Sequence, residues 1–103
     1  MSCSRNDVVL LPIPFRDLTS RKVRPAVVVG RSGADLFLVP ISSQLPNTAV
    51  ALQDWRAAGL NVPCGLKAQL ATVEEKLVVK TTGTLSTADQ PTLDTRLRAW
   101  LRL

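Results

Sequence analysis

Lys22-Val23-Arg24-Pro25 runs straight into Ala26-Val27-Val28-Val29. This sets an always-charged, rigidly forked guanidinium at the mouth of a valine run that reads as a buried strand. A guanidinium so placed is either a solvated flank or a group held to face an anion. Bidentate bonding to phosphate oxygens is its strongest chemistry. The next apolar run, residues 36–41, ends in Ser42, Ser43 and Gln44, which offer two hydroxyls and a carboxamide. Arg16, Arg21, Lys22 and, further on, Lys67 add cations. Brought together, these groups would make a phosphate-binding mouth.

Other chemistries are harder to build from this chain. It has no histidine and no tyrosine, which removes the usual general base near neutral pH. The two cysteines, Cys3 and Cys64, are too few for a tetrahedral zinc site. The eight carboxylates show no metal-binding spacing, and Glu74-Glu75 points its acids in different directions on either a helix or a strand. Any catalysis is expected to proceed without histidine, metal or cofactor.

The elements that must hold the mouth follow from the pattern. Residues 7–14 read as a first strand ending at prolines, and 15–23 as a polar connection. Strand two is expected over 24–30, a Ser-Gly turn at 31–35 and strand three over 36–41. An antiparallel hairpin sets the start of its first strand beside the end of its second, so Arg24 and residues 42–44 should meet at one end. A short strand at 48–52, a helical turn closed by Gly59 and two strands over 62–72 and 77–85 should follow. Residues 86–103 read as an amphipathic helix, with Ser86 and Asp89 as its opening pattern and Leu93, Leu97, Trp100 and Leu101 on one stripe. Five or six short strands and one terminal helix suggest a small barrel or half-barrel.

With 103 residues and 46% hydrophobic composition, a single domain spanning 1–103 is expected, with a modest core and a tendency to dimerise. The net charge of +5 favours an acidic partner, nucleic acid first. Two cysteines without a signal-peptide pattern, and no apolar run of the roughly 18 residues a membrane helix needs, point to a cytoplasmic protein that does not span a membrane. The plainer readings are that Ser42 and Ser43 only bond nearby backbone, and that the basic loop only aids solubility. Trp55 and Trp100 read as core or interface anchors, and Cys64 as a small buried hydrophobe.

The segment DVVLLPIPFRDLTSRKVRPAVVVG resembles the start of the MazF/PemK family of toxin endoribonucleases. LVPISSQ is similar to that family's Pro-x-Thr/Ser-Thr/Ser-Gln signature. AGLNVPCGLKAQLATVEEKLVVKTTGTLS is similar to its later segment. The resemblance implies a mainly β, SH3-like small barrel with a C-terminal helix, acting as a homodimer. It implies metal-independent cleavage of single-stranded RNA by 2′-hydroxyl attack, with Arg24 as catalytic arginine and Ser42 in place of the family's threonine. Arg16, Arg21, Lys22, Ser43, Gln44 and Lys67 would bind RNA, and a cognate acidic antitoxin would cover the same groove. Two departures stand out: Ala68 occupies a position where many relatives carry an acid, and Arg21-Lys22 replace an acidic residue that some carry. The alternatives are a CcdB-like toxin that targets gyrase, or a catalytically silent RNA-binding relative.

Overall fold

Two largely apolar strands joined by a two-residue turn organise the chain. The computed structural model describes residues 3–13 and 22–103. Strands β1 (Asp7–Pro12), β2 (Val23–Ser32) and β3 (Asp35–Ser42) form an antiparallel meander. The turn between β2 and β3 is Gly33-Ala34, where Gly33 takes a φ of 59° that a side chain would resist. β2 and β3 exceed their expected limits because pairing across this turn extends to Ser32 and Asp35.

Val27 and Val28 are both buried because the sheet is covered on both faces. Val8, Val27 and Val39 pack with Leu93 and Leu97 of helix α1 (Asp89–Leu101). Val9, Leu11, Ala26 and Val28 pack with Leu36, Leu38 and Val73 on the other face. A strand buried on two sides shows a continuous apolar run instead of alternation. The pairing of β2 with β3 shifts register between Val28 and Gly30, so Val29 is an extra residue on β2.

Shorter strands complete the sheet: β4 (Val50–Ala51), β5 (Gly65–Leu66), β6 (Ala71–Glu74) and β7 (Lys80–Thr84). The hydrogen-bonded order is β4-β5-β3-β2-β1-β7, with β6 also on β3. The architecture is the expected mainly β fold with a C-terminal helix, and among the described residues the sheet is open at β4 and β7 instead of closing. The strand expected over 62–72 is broken into β5 and β6, because β3 pairs with β5 at Ile41 and Ser42 and with β6 at residues 35–38. Gly65 is required there: a Cβ on it would lie 2.7 Å from the Val50 carbonyl oxygen. Gly59 closes the turn after Trp55 with a φ of 80°. Trp55 and Trp100 are half-buried against the core, as expected of anchors, and Arg56 stacks 4.7 Å over the Trp55 ring.

Helix α1 starts at Asp89, whose N–H meets Ser86 Oγ at 3.3 Å. The Asp89 carboxylate takes only a long bond, 3.4 Å, from Ser86 Oγ at the helix start. Buried, it accepts the backbone N–H groups of Gln53 (2.8 Å) and Asp54 (2.9 Å), pinning the segment after β4 to the helix. At the other end Leu101 and Leu103 are exposed, so only Trp100 of the last residues packs. No helix among the described residues is long and apolar enough to cross a membrane.

A second clamp holds the N-terminal segment. Glu75 accepts from Arg31 Nη2 (2.6 Å) and from the Cys3 N–H (2.8 Å). The Arg31 bond, then the Cys3 N–H, hold the Glu75 carboxyl at about 2, against an ordinary 4.5. A depressed carboxyl pKa adds stability that is complete above the unfolded value and lost as pH falls toward the folded one. Glu75→Gln should therefore lower the melting temperature by roughly a few degrees near neutral pH. The gap should close between about pH 4.5 and pH 2, which thermal melts of both proteins across that window would check.

Candidate functional site

β2 enters the sheet at Val23 and β3 leaves it at Ser42, so both ends lie at the same edge. Ala26 pairs with Pro40, and continuing that register brings Arg24 level with Ser42. Arg24 lies on the same face as Ala26 and Val28, and Ser42 on the same face as Leu38 and Pro40, by the two-residue period of a strand. Arg24 also pairs with Leu11 of β1, which fixes its backbone from the other side. Its side chain is exposed.

After Ser42 the chain turns into a short 3-10 helix, Leu45–Asn47, with Pro46 inside it. The Gln44 N–H donates to Ser42 Oγ at 3.1 Å, and Asn47 Nδ2 donates to Gln44 Oε1 at 3.0 Å. Ser42 thus makes the local backbone bond expected of a turn serine. That bond uses a lone pair of Oγ and leaves the hydroxyl proton free to donate. β5 lines the other side: Ser42 pairs with Gly65, and the Lys67 N–H donates to the Pro40 carbonyl at 2.9 Å.

These groups border one cavity of about 860 Å³. Lys22, Arg24, Ser42, Ser43, Gln44 and Lys67 all line it. Arg16 and Arg21 lie outside the described residues. No described residue around the cavity carries a carboxylate, so its charge is cationic. Ala68, the departure seen in the sequence, is on the same wall. Cys64 borders the cavity as a buried thiol; burial pushes its pKa up, and its Sγ–H points to the Val62 carbonyl at 3.2 Å. It is a small hydrophobe here and not a nucleophile.

Asn47, Asn61 and Gln69 line the cavity too; sequence reading gave none of them a site role, and Gln69 entered it only as part of a Gln-Leu pair that resembles the family's later segment. The spacing of Lys67 and Gln69, two apart, was the available signal. No turn fixes the register of that segment against β3, so its approach to the hairpin mouth was not legible.

Residues 4–101 match the family described as PemK-like, MazF-like toxin of type II toxin-antitoxin systems. The chain belongs to this family. Solved structures share the fold at low identity. One is an endoribonuclease from a mycobacterial species in complex with its cognate antitoxin, 21% identical, with a TM-score of 0.68 over 96% of this chain and 92% of that one. Another is the Mycobacterium tuberculosis toxin MazF-mt6, 17% identical, with a TM-score of 0.69 over 92% of this chain and 97% of that one. No curated protein sequence matches the chain significantly. In this PemK-like, MazF-like toxin, Arg24 and Ser42 both stand on the wall of the 860 Å³ cavity.

Proposed function

We propose that this toxin is a metal-independent endoribonuclease that cuts single-stranded RNA in a sequence-selective way. The observation that carries the reading is the meeting of Arg24 and Ser42 on one cationic cavity, with the Ser42 proton left free by the Gln44 N–H. The ribose 2′-oxygen attacks the adjacent phosphorus; the new O2′–P bond forms as the P–O5′ bond breaks, leaving a cyclic phosphate and a 5′-hydroxyl. Arg24 is a charge stabiliser, because a guanidinium is a poor proton acceptor and a good partner for developing phosphate charge. Ser42 donates to a phosphate oxygen. With no carboxylate or imidazole among the described lining residues, water takes the 2′ proton and returns one to the 5′-oxygen.

Lys22, Ser43, Gln44 and Lys67, joined by Arg16 and Arg21, bind the RNA backbone. Single strands fit such a groove because their bases are free to be held by face and edge. The protein works as a homodimer in the cytoplasm, and residues 1–103 act as one toxin domain. Its partner is a cognate antitoxin whose acidic segment covers the cationic cavity, in keeping with the antitoxin complex of the mycobacterial neighbour. The gyrase-directed alternative is not favoured, since the family matched is PemK/MazF.

The test is incubation of the purified protein with a long unstructured RNA in EDTA, with 5′ ends mapped by primer extension. Cuts recurring at one short motif are the expected result. Intact RNA with retained, salt-sensitive binding would instead identify a silent RNA-binding relative.

A further inference from the structure

A second register shift lies between β1 and β7. Val8 pairs with Gly83 and Val9 with Thr81, so Thr82 is an extra residue outside the ladder. Its hydroxyl donates to the Ala58 carbonyl at 2.8 Å, in the loop that joins β4 to β5, with the Val8 carbonyl a longer 3.3 Å away. Two glycines let that loop lie directly on the strand. A Cβ on Gly83 would stand 2.7 Å from the Ala57 carbonyl oxygen, and one on Gly59 would run into the Thr82 carbonyl. Ala58 itself is fully buried, in the same core cluster as Val8.

The same loop builds one wall of the cationic cavity. Leu60, Asn61 and Val62 line it, and Leu60 follows Ala58 by two residues. Little slack lies between. The Ala57 N–H donates to the Asp54 carbonyl (3.1 Å), the Gly59 N–H to that of Arg56 (2.9 Å) and the Leu60 N–H to that of Trp55 (3.2 Å). Asp89 fixes the start of the loop at Gln53 and Asp54, and the Leu52 N–H ties it to the Cys64 carbonyl at 2.9 Å. In a loop so folded back on itself, a shift of the attachment to β7 carries the wall with it. The groups aimed at phosphate are held separately. Arg24 and Ser42 sit on β2 and β3, which are placed by pairing with each other and with β1.

We infer that Thr82 is a positioning residue for RNA binding: through the Ala58 carbonyl it fixes the Leu60–Val62 wall against which the substrate is held. This role rests on the endoribonuclease reading and divides the labour within it. The wall held by β7 sets affinity, and the mouth between β2 and β3 sets the rate of the cut. Thr82 does not itself border the cavity, so its effect on RNA passes through the loop.

The experiment compares the wild type with Thr82→Val, Thr82→Ser and Gly83→Ala. Binding is measured with a labelled single-stranded RNA whose riboses are 2′-O-methylated, which lacks the attacking hydroxyl. Steady-state cleavage is measured with the unmodified RNA in EDTA. Valine removes the donor and serine keeps it. Thr82→Val should raise Kd and KM by roughly 3- to 10-fold with kcat near the wild type's, the equivalent of one neutral hydrogen bond, and Thr82→Ser should restore both constants. Gly83→Ala pushes the loop off the strand without touching the hydroxyl and should weaken binding in the same way. Thermal melts set the assay temperature well below every unfolding transition, so that a loss of stability alone moves neither constant. A folded Thr82→Val with wild-type Kd and KM would overturn this inference, and so would one that loses kcat at unchanged Kd. Were Thr82→Val not to fold, Gly83→Ala would decide in the same terms. A wild type that binds the RNA without cutting it would overturn the nuclease reading alone, since the comparison of Kd values still stands. One that neither binds nor cuts would overturn both.

Discussion

Replacing Arg24 by alanine is expected to lower RNA cleavage by about 100- to 1,000-fold, the usual cost of removing one preorganised donor from a developing oxyanion. The expected loss is in kcat as much as in kcat/KM, because the contact strengthens as charge builds on the phosphate. The fold should not suffer. Arg24 is exposed, its backbone is held by the Leu11 pairing, and its side chain takes part in no ion pair among the described residues. Arg24→Lys should recover only part of the rate: it restores the charge but not the fork that binds two oxygens at once. Ser42→Ala should be slower than wild type and Ser42→Thr close to it, since threonine keeps both the donor and the oxygen that accepts the Gln44 N–H. Single-turnover rates beside thermal melts would check all of these. An Arg24→Ala protein that cuts at the wild-type rate would remove the guanidinium from the mechanism.

The second large effect falls on stability. Asp89→Ala strips the acceptor from two backbone N–H groups, those of Gln53 and Asp54, in part-buried hydrogen bonds. Each orphaned donor costs about 1–3 kcal/mol, and a stability loss of about 2–5 kcal/mol is expected. Small domains are stable by only about 5–15 kcal/mol, so this change should lower the melting temperature by roughly ten degrees or more. Asp89→Asn keeps one carbonyl oxygen and should lose less. A melting temperature within about two degrees of wild type for Asp89→Ala would show that the segment after β4 is held by its apolar contacts alone.

The hairpin and its charged mouth could be read from the chain because each depends on neighbours in sequence. A glycine turn, a valine run and two short polar tails are enough to place Arg24 near Ser42. The helix was legible for the same reason, through the spacing of Leu93 and Leu97. Asp89 was not. Its carboxylate looks like a helix-opening acid, and its partners lie 36 and 35 residues away in a loop. Glu75 was hidden in the same way, its two partners being Arg31 and the Cys3 N–H. The break between β5 and β6 comes from β3 serving two strands on one edge, a long-range fact with no local signature. At the site the cations and hydroxyls were found by charge and type. Asn47 and Asn61 were not, because nothing in their local spacing ties them to the hairpin mouth.

The extra residue in β2 has a consequence for the site. Counting from the Gly33-Ala34 turn, Ser32 faces Asp35, Arg31 faces Leu36 and Gly30 faces Phe37. An unbroken ladder carried on from there would set Arg24 opposite Ser43. Skipping Val29 moves every later pair by one, so that Val28 faces Leu38 and Arg24 comes level with Ser42. Val29 therefore acts as a frame-shift in the pairing, five residues from the chemistry it decides. Pairing Val29 into the ladder would give the guanidinium the wrong serine, whereas deleting it would let Gly30–Phe37 run straight into Val28–Leu38, keeping Arg24 level with Ser42 and removing only the local bend.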